Sequence, residues 1–219
     1  MKQNFRTIYE AMFEKHLRGT LLFLILSIPL DLRFVETMYY FNVNYAGFSE
    51  EEVSYISSFK SFSFLLGTTL YGRYFINQEF RTALILCQVM NLLNQLSNLT
   101  YTTRLNTYLG IPDIWMLVVS GFFMEALIFA FSMLPLMVLM AKVTPPKVEA
   151  TIFAFLTSTK NMHGVLGSLV SAAIISSLGI NNEHMDRLYL FVLVQISVVW
   201  IPVILVLVFI PTKAEVKYI

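Results

Sequence analysis

The sequence has 219 residues, of which 57% are hydrophobic and only 13% are charged, and its mean hydropathy is +0.67. Soluble domains carry about 25% charged residues, so this composition excludes a soluble enzyme, a secreted disulfide scaffold and a disordered chain. Lys and Arg number 15 and Asp and Glu 14, and the resulting net charge of +1 argues against a nucleic-acid partner. We therefore predict an all-α integral membrane protein.

Six apolar segments are long enough to cross a hydrocarbon core of about 30 Å, which takes about 20 helical residues. We predict helices at 19–41, 53–76, 80–101, 111–141, 148–178 and 187–210. The acidic run Glu50-Glu51-Glu52 suits the first turn of the second helix. Pro145-Pro146 ends the fourth helix, because proline cannot continue one.

The loop charges predict the orientation, because Lys and Arg accumulate on the cytoplasmic side of membrane proteins. One side has only Arg104 and Arg187, and the other side has ten cations: Lys2, Arg6, Lys15, Arg18, Arg73, Arg81, Lys142, Lys147, Lys213 and Lys217. We therefore expect both termini in the cytoplasm, with a cytoplasmic segment at 1–18, a six-helix transmembrane domain at 19–210 and a cytoplasmic tail at 211–219. The sequence does not distinguish a plasma membrane from an organelle membrane.

Ionisable side chains inside the predicted spans point to a polar cavity, because such groups normally face protein or water rather than lipid. They lie in the first, second, fourth and fifth helices: Asp31, Arg33, Glu36, Lys60, Glu125, Lys160 and His163. The third and sixth predicted helices carry none. This segregation predicts a cavity lined by four helices and buttressed by the other two.

The four ionisable groups in the first two helices have structural alternatives to a substrate contact. Arg33 and Glu36 are spaced i,i+3 and would neutralise one another on one helix face. Asp31 follows Pro29, so it would satisfy backbone groups freed by a bend. Lys60 lies less than two turns into its helix, from where a long side chain can reach the interface.

The fourth and fifth helices carry the deepest ionisable groups. Glu125 is either a proton carrier, a partner for a cation or a neutral acid bonded to a neighbouring helix. Lys160 lies too deep to reach the interface comfortably, and His163 is one turn away on the same face. We expect Lys160 to face an anionic ligand or a carboxylate partner.

Two further patterns are typical of helix packing. Asn91, Asn94, Gln95 and Asn98 form an amide stripe on the third helix, which is expected to bond to neighbouring helices. Gly164 and Ser168 belong to a row of small residues on the fifth helix, where backbones can approach closely. No catalytic or phosphate-binding motif is present, and the scattered histidines indicate neither a metal site nor a cofactor.

Several segments together resemble the C-terminal half of the folate–biopterin transporter family, a branch of the major facilitator superfamily. The most specific is Pro145-Pro146-Lys147-Val148-Glu149-Ala150-Thr151-Ile152-Phe153-Ala154, followed by Asn161. The others are Leu109-Gly110-Ile111-Pro112-Asp113, Met133-Leu134-Pro135, Pro29 with Asp31, Ala46-Gly47-Phe48-Ser49, and Gly67 with Tyr71-Gly72-Arg73. The last group is similar to the superfamily's short cytoplasmic loop, where glycine permits close helices and the arginine anchors the loop.

The resemblance implies that these are the last six helices of a twelve-helix carrier, and that the first, second, fourth and fifth line its central cavity. The second six-helix half would come from another chain, a second copy or an N-terminal portion. The implied substrate is a folate- or pterin-like organic anion, moved by alternating access with possible coupling to a proton. Candidate substrate contacts are Asp31, Arg33, Lys60, Glu125, Lys160, Asn161 and His163.

Two other interpretations stay open. The chain is alternatively a six-helix membrane subunit or truncated relative that does not transport and acts as a structural partner. An enzyme working inside the membrane is the third, and no motif supports it. Lys160 and His163 flank Asn161, where the resemblance would suggest smaller or neutral residues, so the substrate is not fixed by the sequence.

Overall fold

The structure is a computed structural model that describes residues 13–144 and 148–216, and within these ranges its regular structure is helical. The α-helices are α1 (Lys15–Ser27), α2 (Val35–Tyr40), α3 (Glu50–Leu70), α4 (Phe80–Thr102), α5 (Leu105–Tyr108), α6 (Asp113–Met116), α7 (Glu125–Val143), α8 (Glu149–Ser177), α9 (Leu188–Val198) and α10 (Trp200–Phe209). Stretches of π-helix extend α2 and α3 and join α6 to α7. The predicted helix break at Pro145 and Pro146 lies outside the described residues.

Five of the six predicted helices are confirmed as helices. Their bounds agree with the prediction to within three residues, because long apolar runs between charged or proline-rich ends define them. The acidic start of α3 is confirmed by a capping box in which Ser49 Oγ accepts from the Glu52 N–H at 3.2 Å and Glu52 Oε2 accepts from the Ser49 N–H at 2.8 Å. These bonds from Ser49 lower the pKa of Glu52.

Two helical stretches of the described ranges are long and apolar enough to cross a membrane by length and composition: Asp113–Val143 and Met185–Phe209. The first comprises α6, its π-helical extension and α7, and the second includes α9 and α10. The other predicted spans do not meet both conditions. That all six helices cross a membrane therefore stays a prediction.

The first predicted helix, 19–41, is not continuous, and this expectation was wrong. α1 ends at Ser27, a 3-10 turn covers Ile28–Leu30, and α2 begins only at Val35. Pro29 explains the break, because its ring has no N–H and collides with the preceding helical turn. Arg33 therefore lies in an irregular bend at 31–34 and does not share a helix face with Glu36.

Neighbouring helices satisfy the backbone of this bend. Ser171 on α8 accepts the backbone N–H of Arg33 at 2.7 Å, and Gln195 on α9 donates to the carbonyl of Leu32 at 2.9 Å. Gly167 on α8 lies directly against the carbonyl of Asp31, where an added Cβ would collide with that oxygen. Irregular backbone inside an apolar bundle needs such partners, since no lipid group can bond to it.

A second close approach holds α3 against α7. A Cβ added to Gly67 would lie 2.9 Å from the Cβ of Ala130, which is fully buried. Small residues at such crossings let two helix backbones pack tightly. The predicted role of Gly67 in helix approach is thus consistent with its surroundings.

We expect Gly167→Ala to destabilise the protein by about 1–3 kcal/mol, the usual cost of over-packing. Its new methyl group would meet the backbone of Asp31. The matched control is Gly72→Ala, because a Cβ added at Gly72 meets nothing within 4 Å. Thermal unfolding in detergent measures both variants. Equal melting temperatures would contradict the direct contact between α8 and the bend.

Candidate functional site

A cavity of about 320 Å³ lies among the helices and contains most of the ionisable groups predicted for the site. This volume is at the lower end of the range typical of small-molecule sites. The acidic, basic and histidine side chains on its wall are Asp31, Arg33, Lys60, Glu125, Lys160 and His163. Glu36 is exposed and does not line this cavity.

Two ion pairs lie on the wall of the cavity. Arg33 donates to Asp31 Oδ2 from Nη2 at 2.7 Å and from Nε at 3.2 Å, within the bend. Lys60 Nζ on α3 donates to Glu125 Oε2 at the start of α7 at 2.8 Å. Arg33 is thus neutralised by Asp31. The structural alternative, in which Glu36 neutralises Arg33, was wrong. Lys60 reaches a carboxylate on the neighbouring helix α7 instead of extending alone to the interface.

Both pairs are partly open. The exposed fractions of the side chains are 41% for Arg33, 30% for Asp31, 43% for Lys60 and 34% for Glu125. Partly exposed ion pairs typically contribute only about 0–1 kcal/mol, so an incoming charged group can compete for either member.

Lys160 is the lysine of the cavity wall that takes part in neither ion pair. Its ammonium has no hydrogen bond or ion pair with any residue in 13–144 or 148–216, although it lines the cavity beside the Asp31–Arg33 pair. His163, one turn further along α8, is only 3% exposed, and its Nδ1 lies 3.9 Å from Asp31 Oδ2. The cavity therefore contains one lysine without a hydrogen bond or ion pair to any described residue.

The predicted division into four lining and two buttressing helices was wrong. α4 contributes Asn91, Asn94, Gln95 and Asn98 to the cavity, and α9 contributes Gln195. We call these five side chains the amide wall. The stripe on α4 was expected to bond to neighbouring helices, and the division of the helices was predicted from charge alone, so the polar amides of α4 were not counted as cavity-lining groups.

The remaining predicted residues on α8 lie at different places. Asn161 is exposed and does not line the cavity. Gly164 faces Arg33, since its added Cβ would lie 3.5 Å from Nη1. Ser168 is exposed and donates to the carbonyl of Gly164 in its own helix at 2.8 Å. The row that packs on the bend therefore runs through Gly167 and Ser171 rather than through Ser168.

The predicted loop residues lie away from the cavity. Gly72 has open space beside it, and the guanidinium of Arg73 lies 5.7 Å from the ring centre of Tyr74. Glu149 is exposed in the first turn of α8, where a carboxylate favours the helix dipole. These positions bear on packing and helix ends, not on direct contact with a ligand in this cavity.

Comparison with known proteins agrees with the chemistry of the cavity. The model of the BT1 family matches residues 1–218. The chain belongs to the BT1 family. It is 31% identical over 163 residues to the folate-biopterin transporter of Synechocystis sp., covering 71% of this chain and 31% of that protein. No solved structure matches the chain.

Other relatives have similar names and similar coverage. Probable folate-biopterin transporter 4 of Arabidopsis thaliana is 28% identical over 68% of this chain and 30% of its own length. Folate transporter 2 of Plasmodium falciparum is 27% identical over 72% of this chain and 34% of its own length. The aligned part thus spans about a third of the curated relatives, which are transporters and not enzymes. The chain is accordingly a membrane protein of a transporter family.

We expect Lys60→Met and Glu125→Gln each to lower the free energy of unfolding, because each leaves a partner's charge unpaired. The double variant should lose less than the sum of the two, with a coupling of about 1 kcal/mol for so exposed a pair. Thermal or denaturant unfolding in detergent measures the cycle.

The matched control for this cycle combines Glu125→Gln with Lys142→Met, which lies at the end of α7 and has no ion pair with a described residue. These two changes should be additive. The same coupling in the control cycle would contradict a specific Lys60–Glu125 interaction.

Proposed function

We propose that this chain is part of a transporter that moves a folate- or pterin-like organic anion across a membrane. The observation that carries the proposal is the unpaired ammonium of Lys160 in a polar cavity between otherwise apolar helices. Its family and the names of its relatives support this class of substrate.

The charges of the cavity favour an anionic ligand. The two ion pairs cancel, so Lys160 remains as the net positive charge, and a ligand carboxylate gains a charge-assisted hydrogen bond there. Arg33 lies near Gly164, which is on the same helix as Lys160. Arg33 is therefore placed to bind the same ligand carboxylate once its bond to Asp31 has been exchanged for one to the ligand. Glu125 and Asp31 are the candidate proton carriers in a coupled cycle.

The proposed architecture is that of one half of a major-facilitator carrier, with six membrane-spanning helices and both termini in the cytoplasm. The second half is supplied by another chain, by a second copy or by a portion that precedes these residues. Alternating access then comes from rocking the two halves around a site near the middle of the membrane. The broken first helix supports this mechanism, because transporter sites are often formed by discontinuous helices.

We expect cells that lack their own folate uptake to accumulate labelled folate when they express the chain. Lys160→Met should weaken the apparent affinity for folate about tenfold or more, because a hydrogen bond to a charged group is lost. Lys142→Met is the matched control, since this lysine lies outside the cavity.

Two results would contradict this proposal. Normal uptake after Lys160→Met, Arg33→Met and Glu125→Gln are combined would rule out the assigned site. No uptake by the wild-type chain, together with no folate-induced shift in its melting temperature, would favour the interpretation of a six-helix subunit without transport activity.

The proposed topology predicts opposite labelling of two loops. Asn77→Cys, between α3 and α4, should react with a membrane-impermeant maleimide only from the cytoplasmic side, and Asn182→Cys, after α8, only from the other side. Both side chains are exposed. Cys87 is 2% exposed and is the background control in the unmodified chain. Labelling of both loops from one side would contradict the arrangement.

A further inference from the structure

The amide wall has unsatisfied hydrogen-bond acceptors. Asn94 Oδ1, Asn98 Oδ1 and Gln195 Oε1 are buried and have no hydrogen-bond partner among the residues that the structure describes. All three residues are buried, with Asn94 and Asn98 3% exposed and Gln195 4% exposed. Buried polar atoms are nearly always bonded, so three orphan acceptors at one cavity require an explanation.

A packing role does not explain these acceptors. The bonds within the stripe run along α4 itself, from Asn98 Nδ2 to Gln95 Oε1 and from Gln95 Nε2 to Asn91 Oδ1, each at 3.4 Å. The side chain of Asn94 bonds to no described residue. Amides that join helices would instead bond across the interface, as Gln195 does when it donates to Leu32. The amides of the wall that lie on α4 therefore make no hydrogen bond to another helix among the described residues.

Its chemistry complements that of an uncharged heterocycle. A carboxamide offers one acceptor oxygen and two donor hydrogens side by side, and its terminal torsion rotates readily. Such a group pairs with a ring edge that carries an N–H next to a carbonyl or a ring nitrogen. The amide wall carries no ionisable side chain, whereas the other cavity wall contains Lys160 and the two ion pairs.

We infer that the amide wall is the subsite for the flat, N–H-bearing ring of the ligand, while Lys160 holds its anionic end. This inference rests on the proposed function and divides that site into two chemically distinct parts. Asn94 is its main specificity residue, because no structural bond competes for its amide. The division predicts that ring recognition and charge recognition can be removed separately.

The test uses three labelled probes and the purified full chain in detergent. Folate carries both the ring and the carboxylates, biopterin carries the ring without a carboxylate, and p-aminobenzoylglutamate carries the carboxylates without the ring. Asn94→Leu removes the amide and keeps the number and branching of the side-chain heavy atoms. We expect it to weaken folate and biopterin about five- to tenfold, as for the loss of neutral hydrogen bonds, and to leave p-aminobenzoylglutamate unchanged.

Lys160→Met should produce the opposite pattern, weakening folate and p-aminobenzoylglutamate and leaving biopterin unchanged. Ser97→Ala is the matched control on α4, because it removes a polar group that does not line the cavity. It should bind all three probes as the wild type does. Asn98→Leu, tested alone and with Asn94→Leu, checks that the effect belongs to the wall.

Thermal unfolding without ligand separates binding from a structural role. Leucine at position 94 replaces an amide that has no partner, so the melting temperature should stay equal or rise. A fall in melting temperature with unchanged biopterin affinity would overturn the inference in favour of helix packing. Unchanged biopterin affinity in the Asn94 and Asn98 variants would overturn it as well, while folate binding by the wild type would leave the proposed function standing. A wild-type chain that binds none of the probes would overturn both.

Discussion

The bend at 31–34 is the feature on which the rest of the site depends. Pro29 forces the chain out of helical geometry, and the freed backbone groups must find partners, because the surroundings are apolar. Ser171 and Gln195 provide them from two different helices. In return, the bend brings Asp31 and Arg33 close to Lys160 and the amide wall, which a straight helix would not do.

The energetics of the charged wall follow from partial exposure. The Asp31–Arg33 and Lys60–Glu125 pairs have geometry suited to charge-assisted bonds, yet roughly a third of each side chain remains accessible. Each pair therefore neutralises the charges of its own two members, and both members remain accessible to other charged groups. Lys160, by contrast, has no such partner in the described part of the chain, and this is why the proposed function assigns the anionic end of the ligand to it.

Much of the fold could be predicted from the sequence, and the site only in part. Helix bounds followed from long apolar runs, and the cavity was anticipated from charges at Asp31, Lys60, Glu125 and Lys160. The partner of Arg33 was missed because i,i+3 spacing holds only in a continuous helix, and Pro29 ends that continuity. The role of α4 was missed because amides count as polar packing groups until their bonds can be traced.

The glycine contact between α8 and the bend has a mechanical consequence. At Gly167 no side chain separates the two backbones, and Ser171 bonds to the next segment of the bend. An axial shift of α8 would therefore displace the bend as well, and Lys160 and the Asp31–Arg33 pair would move together. α3 packs on α7 and carries Lys60 and Glu125 as a separate unit. A relative movement of these two units would change the shape of the cavity along the boundary between them.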